Sequence, residues 1–168
     1  MQSPTGDDAL RALRELRRLV HGIHRASFSV ERSFGVTGAQ LFELRELAAE
    51  PRASIRALSE RTLTDPSSVS VLVARLVERG LVSRARDPLD RRKSALSLTP
   101  TGRRLLARAP EAYQGRLIKA LAALSPAEVA ALGSTLARVS DALGLASVAP
   151  PFFEDKAGER ERPPRGTK

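Results

Sequence analysis

Residues 65–102 read DPSSVSVLVARLVERGLVSRARDPLDRRKSALSLTPTG, and the order of signals along this stretch decides the fold. Asp65 is a strong N-cap, and Pro66 suits the first helical position, where a missing N–H leaves nothing unpaired. Val69, Leu72, Val73, Leu76 and Val77 then follow the i, i+3, i+4, i+7, i+8 spacing of a helix buried along one face, and Gly80 ends it as a C′ residue. At about 100° per residue Val69 sits at the centre of the buried face. Ser67, Val71, Ala74 and Glu78 fall roughly opposite, with Ser68, Ser70 and Arg75 on the flanks. Two strand-like pieces follow. In the first, Val82, Arg84 and Arg86 alternate with Ser83 and Ala85; in the second, Leu96 and Leu98 alternate with Ala95 and Ser97. Pro88 marks the break between them, so the economical reading is a small antiparallel hairpin whose turn mixes the acids Asp87 and Asp90 with Arg91, Arg92 and Lys93.

Helices flank this unit on both sides. Thr37-Gly38-Ala39-Gln40 has the spacing of a capping box, and Leu41, Phe42, Leu44, Leu47 and Ala48 continue it as a helix until Pro51. Ser54 caps a short helix, IRALSERT, expected to bury Ile55, Leu58 and Thr62. Earlier still, Leu10, Leu13, Leu16, Val20 and Ile23 form the apolar stripe of a long helix whose other side is crowded with arginine. Downstream, Thr99 and Pro100 open a helix that Leu105, Leu106, Ala109, Tyr113, Leu117, Leu121 and Leu124 extend as one long stripe, with a kink expected at Pro110. Ser125-Pro126-Ala127-Glu128 is a second capping box, and Val129, Leu132, Leu136, Val139 and Leu143 carry the last helix to Gly144. Residues 145–168, rich in proline and charge and without periodicity, read as a disordered tail.

Composition agrees with a helical protein. The chain has 168 residues, enough for one domain with an attached segment. Its 42% hydrophobic content includes one Tyr, five Phe and no Trp, which leaves the core to Leu, Ala and Val. There is no cysteine, so disulfides, thiolate metal sites and thiol nucleophiles are excluded. The N-terminal stretch has acids and arginines where a signal peptide needs an apolar run, and nothing approaches the length of a membrane span. A soluble cytoplasmic protein without a membrane partner is expected. No glycine-rich phosphate loop and no evident Ser/His/Asp set is present, so neither an enzyme nor a bound cofactor is expected.

The net charge is +9, and its placement is informative. From Asp65 to Arg104 nine bases face four acids, an excess of +5 that suits a phosphate polyanion. The order of helix, short helix, connection, helix, strand, basic turn and strand is that of a winged helix-turn-helix. In that arrangement the second helix of the pair enters the DNA major groove and the hairpin wing reaches the neighbouring backbone or minor groove. The fold class expected is therefore mostly α with a small antiparallel β-hairpin wing.

These residues also resemble the multiple antibiotic resistance regulator (MarR) family of bacterial transcription factors. The resemblance rests on Ser67-Ser68-Val69-Ser70 followed by Arg75-Leu76, on ERGLV from Glu78 to Val82, on DPLDRR from Asp87 to Arg92, and on LSLTPTG from Leu96 to Gly102. It covers roughly residues 8–144. It implies a homodimer with N- and C-terminal dimerisation helices: residues 8–36 and 100–144 interlocking with a second copy, and 37–99 as the DNA-binding domain. It further implies a pseudo-palindromic operator on double-stranded DNA, and repression relieved by a small aromatic or anionic effector held between dimerisation helices and DNA-binding lobe.

Site residues follow from the two readings together. Ser67, Ser68 and Ser70 are expected at phosphates or base edges near the helix N-terminus, with Arg75 as a backbone clamp. Val71 departs from the family, where a long polar or basic side chain is common; a valine cannot donate to guanine but can pack on a thymine methyl. In the wing, the resemblance makes Arg92 the minor-groove reader and Asp90 the group that orients it, with Arg91 and Lys93 left for phosphates. His21 and His24, three apart on the first helix, lack a third metal ligand of obvious spacing, so no metal site is expected and both are assigned to the dimer or effector-pocket wall. The rival reading is a winged helix that contacts nucleic acid or protein without operator specificity.

Overall fold

The computed structural model describes residues 6–86 and 94–145. Along these run α1 (Gly6–Phe34), α2 (Gly38–Ala49), α3 (Ile55–Thr62), α4 (Pro66–Glu78), β1 (Val82–Arg86), β2 (Ser94–Leu98), α5 (Pro100–Arg108), α6 (Tyr113–Ala122) and α7 (Pro126–Ala142). The starts of α2, α3, α4, α5 and α7 are set by side chains that satisfy their otherwise unpaired N–H groups. The Thr37 hydroxyl accepts from the Gln40 amide at 3.1 Å while Gln40 Oε1 accepts from the Thr37 amide at 3.1 Å, closing the box at α2. Ser54 caps α3 through the Ala57 amide at 3.1 Å. Ser125 and Glu128 close the second box at α7.

The core lies where α2, α3, α4 and the hairpin base meet the end of α1. Leu41, Leu44, Leu58, Val69, Leu76 and Leu96 are its fully buried centre. β1 and β2 pair antiparallel, with Val82 opposite Leu98 and Arg84 opposite Leu96. A third piece of backbone extends this sheet: the Arg52 amide donates to the Leu96 carbonyl at 2.8 Å, and the Leu96 amide to the Ala53 carbonyl at 3.0 Å. The loop after α2 thus fixes the hairpin to the helix pair from one side.

α5 fixes it from the other. The Thr99 amide donates to the Leu81 carbonyl at 3.0 Å, and its hydroxyl donates to the Gly80 carbonyl at 2.6 Å. The same hydroxyl caps the helix by accepting from the Gly102 amide at 3.0 Å. This knot is possible only because residue 102 lacks a side chain: a Cβ there would stand 2.2 Å from the Leu81 carbonyl oxygen. The sequence TPTG therefore has a packing cause, joining wing and helix in one turn.

One expectation is corrected. Residues 100–124 were read as a single kinked helix, but α5 ends at Arg108 and α6 begins at Tyr113. Pro110 does more than remove a donor; it crowds the residue before it out of the helical region. Ala109 is accordingly extended (φ −78, ψ 144), and the chain breaks where a bend was expected. Ala112, inside the break, is buried in the core.

Beyond the break the character changes. Neither α6 nor α7 has a buried residue. On α1, Leu10, Leu13, Leu16, Leu19 and Val20 are all exposed, whereas Ile23, Ser27 and Val30 nearer its end are buried. Among the described residues, no helix is long and apolar enough to cross a membrane.

Candidate nucleic-acid interface

α4 is held to the core by Val69, Leu72, Val73 and Leu76. Its opposite face, with Ser67, Ser70, Val71, Ala74, Arg75 and Glu78, is exposed. Ser68, at the edge, is partly covered. Ser67, Ser70 and Ala74 keep the N-terminal part of this outward face small, while Arg75 and Glu78 lie towards its C-terminal end. Val71 is 54% exposed, which leaves its methyl groups available at the surface.

The N-terminal end of α4 is less open to phosphate than the helix dipole alone suggests. Asp65 Oδ1 accepts from the Ser67 amide at 2.9 Å and the Ser68 amide at 3.1 Å, and the Ser67 hydroxyl donates to the same oxygen. These hydrogen bonds, from Ser67 first and then Ser68, hold the Asp65 carboxyl well below the usual carboxylate range. The cap is therefore ionised and occupies two amides that an incoming phosphate would use. Of the three serines, Ser70 presents an exposed hydroxyl, and Ser67 spends its proton within the cap.

Two contacts fix the orientation of the helix pair. The Arg79 guanidinium, just past α4, donates to the Gly35 carbonyl and reaches Gln40 Oε1 at 3.4 Å, tying the end of α4 to the α1–α2 connection. Arg61 on α3 pairs with Glu46 on α2 at 2.6 Å and with Glu50. The first of these pairs is largely shielded from water.

Asp90, Arg91, Arg92 and Lys93 lie outside the described residues. Arg86 and Ser94, which bracket them, are paired across the hairpin. His21 and His24 both lie exposed on α1, either side of the buried Ile23.

Glu43 was not singled out from the sequence. It is fully buried, and neither carboxylate oxygen has a hydrogen-bond partner. Burial pushes its carboxyl up to about 8; Thr62 and Arg61 oppose the shift and Glu46 adds to it. The Thr62 hydroxyl is itself donating to the Leu58 carbonyl at 2.9 Å. A signal for this burial exists in hindsight. α2 is enclosed on every side, with residues 38–44 all buried, so no face of its first two turns is left for a charge.

A model described as the MarR family matches residues 34–93. A protein of Thauera aromatica, named as a transcriptional regulatory protein for the hcr operon, is 32% identical over 142 residues, which cover 74% of this chain and 86% of that one. The crystal structure of the PcaV transcriptional regulator from Streptomyces coelicolor is 33% identical, with a TM-score of 0.51 over 78% of this chain and 96% of that one. That of the transcriptional regulator BldR from Sulfolobus solfataricus is 25% identical, with a TM-score of 0.54 over 81% and 99%.

Proposed function

The chain belongs to the MarR family of winged-helix transcriptional regulators, and on that premise we propose that it acts in the cytoplasm as a homodimeric repressor of a pseudo-palindromic operator, released by a small aromatic or anionic effector. The observation that carries the DNA-binding part is the exposed face of α4, small at its N-terminal end, next to a two-stranded hairpin whose strands are joined in sequence by a segment containing Arg91, Arg92 and Lys93. A helix with such a face can approach base edges closely, and the basic segment supplies the electrostatic attraction.

The roles divide as follows. Ser70 and Ser68 contact backbone or base edges, and Val71 packs on a thymine methyl. Arg75 clamps a phosphate. Arg92, oriented by Asp90, reads the minor groove, and Arg91 and Lys93 neutralise phosphates. Ser67 contributes through the cap it shares with Asp65 more than by direct contact. With so little hydrogen-bonding capacity on α4, the wing carries most of the specificity.

The dimer rests on residues 8–36 and 100–144. Leu13, Leu16, Leu132 and Leu136 need cover that the single chain does not provide. His21 and His24 stand exposed on α1 close to where it meets the core, a place from which they would face the effector.

Footprinting on the DNA upstream of its own gene, repeated with a panel of aromatic acids, tests this function. A protected inverted repeat, lost on adding one compound, is the expected result. Arg92→Ala should remove the protection and leave the fold intact. Equal affinity for that DNA and for bulk DNA at physiological salt would instead favour a winged helix without operator specificity.

A further inference from the structure

We propose that Arg45 is the positioning residue that sets the angle between the DNA-binding lobe and the α6–α7 arm, and so the distance between the two recognition helices of the dimer. The inference rests on the homodimer proposed above.

Arg45 lies on α2, the helix enclosed by the core. Its Nη2 donates to the Ala109 carbonyl at 2.9 Å and to the Pro110 carbonyl at 2.7 Å. Both acceptors lie at the break between α5 and α6, where the chain leaves the lobe. The carbonyls at a helix C-terminus have no partner within the helix, and a guanidinium placed there satisfies them while its charge opposes the helix dipole. One side chain thus ties the rigid lobe to the point from which the arm springs.

Packing of α6 along α2 and α1 also meets that point, but without a fully buried side chain from α6. α7 is exposed along nearly all its length, and α6, although it lies against α2 and α1 through partly covered residues such as Tyr113 and Leu117, has no fully buried residue, so the arm has no packed core of its own. Further restraints at its root include Ala112, buried in the core, and the Tyr113 hydroxyl packed on α1 at Gly22. That second contact needs the absence of a side chain, since a Cβ at residue 22 would stand 2.9 Å from the hydroxyl oxygen. It is a van der Waals approach, whereas Arg45 adds two directed hydrogen bonds from another helix. Glu111, next in the break, pairs with Lys119 at 2.6 Å and stiffens the first turns of α6, while its charge also attracts the Arg45 guanidinium to the break.

The mechanical consequence follows from symmetry. The arms of the two copies would be joined, so any change in the lobe–arm angle is applied twice and moves the recognition helices apart or together. Helices reading successive major grooves must stand about 34 Å apart. A joint that fixes the angle preorganises this distance; a loose joint makes DNA supply the ordering energy.

The chain contains no cysteine, so a single spin label at Ala74→Cys, on the outward face of α4, reports that distance in the dimer without background. The unmodified joint should give a narrow distribution near the groove spacing. Arg45→Met, which keeps the stem and removes both hydrogen bonds, should at least double its width and lower operator affinity about tenfold. Sedimentation should still show a dimer. Arg45→Lys, whose ammonium can reach the same carbonyls, should restore the narrow distribution. A distribution as narrow in Arg45→Met as in the parent overturns the proposal. Absence of dipolar coupling in the parent itself overturns the homodimer, and the inference with it. Should Arg45→Met fail to fold, Arg45→Gln replaces it with the same expectations.

Discussion

Leu41, Leu44, Leu47, Leu58 and Leu76 are sealed in the core around α2–α4, each at 1% exposure or less. Leu13 and Leu16 on α1, and Leu132 and Leu136 on α7, recur at the same helical spacing yet remain between 39% and 42% exposed. Periodicity reports which face of a helix is apolar; it does not report what covers that face. In the lobe the covering comes from the chain itself, through short connections that fold α2, α3, α4 and the hairpin onto one another. In the arms it does not, because the first half of α1 runs past the lobe and, although α6 returns along α2, α7 lies exposed along nearly all its length. The two regions therefore differ in what their stability should depend on: sequence-local packing for the lobe, and protein concentration for the proposed dimer.

The largest effect should come from charging the arm. Leu132→Glu with Leu136→Glu places two carboxylates on the face proposed to meet a second copy. Sedimentation should then report a monomer, and operator affinity should fall about 100-fold or more as two linked half-site contacts become independent. Amide exchange in α2–α4 should be unchanged. A double variant that stays dimeric at wild-type affinity would show that α7 is not the seam.

The lobe was legible in the sequence because its signals are local. Thr37, Ser54, Asp65, Thr99 and Ser125 all cap the helices that their side chains announce. Alternation also announced the two strands of the hairpin, though not their pairing of Val82 with Leu98. What was not legible depends on contacts between distant segments: Ala53 bridging Leu96, Arg79 reaching Gly35, and Arg45 reaching Ala109 and Pro110. No periodic pattern encodes these. The break after Arg108 is half legible: Pro110 predicts an interruption, but a bend and a full break that leaves Ala109 extended carry the same signal in sequence. For the candidate site, the outward face of α4 could be read from angles on a helix. The commitment of Ser67 to Asp65 could not, because a serine at that position reads equally as cap partner or as DNA contact.

Glu43 tests the lobe from inside. In the unfolded chain its carboxyl titrates near 4.5, and in the folded lobe at about 8. Between these values the folded state keeps a proton that the unfolded state has lost. Its contribution to stability is therefore most favourable below pH 4.5 and declines as pH rises towards 8. At 1.36 kcal/mol per unit the loss reaches about 3 kcal/mol at pH 7. Glu43→Met, of similar length and without a charge to desolvate, should be more stable by an amount of that order at pH 7 and should lack the slope. Urea unfolding at pH 5 and pH 8 measures both. The difference should persist in the background of Leu132→Glu with Leu136→Glu, because the polar groups that act on Glu43, namely Thr62, Glu46 and Arg61, lie on α2 and α3. A Met variant that keeps the slope would place its origin elsewhere.

The smallest effect should come from Leu63, the residue that turns α3 towards α4. It caps α3 in the left-handed conformation (φ 53, ψ 37) and is 84% exposed. For a residue with a Cβ this conformation costs roughly 1–2 kcal/mol, while glycine in its place gives back about 0.5–1 kcal/mol through the entropy of the unfolded chain. Leu63→Gly should thus gain at most about 1.5 kcal/mol, a rise in melting temperature of a few degrees. No packed surface is lost to set against the gain, because the side chain touches solvent over most of its area. The turn lies wholly inside the lobe, so the gain should add to that of Glu43→Met and be the same in dimeric and charged-arm backgrounds. If instead Leu63→Gly destabilises the dimer but not the charged-arm monomer, the leucine is covered when two copies assemble, and the boundary drawn here between a self-sufficient lobe and partner-dependent arms would have to move to include the α3–α4 turn.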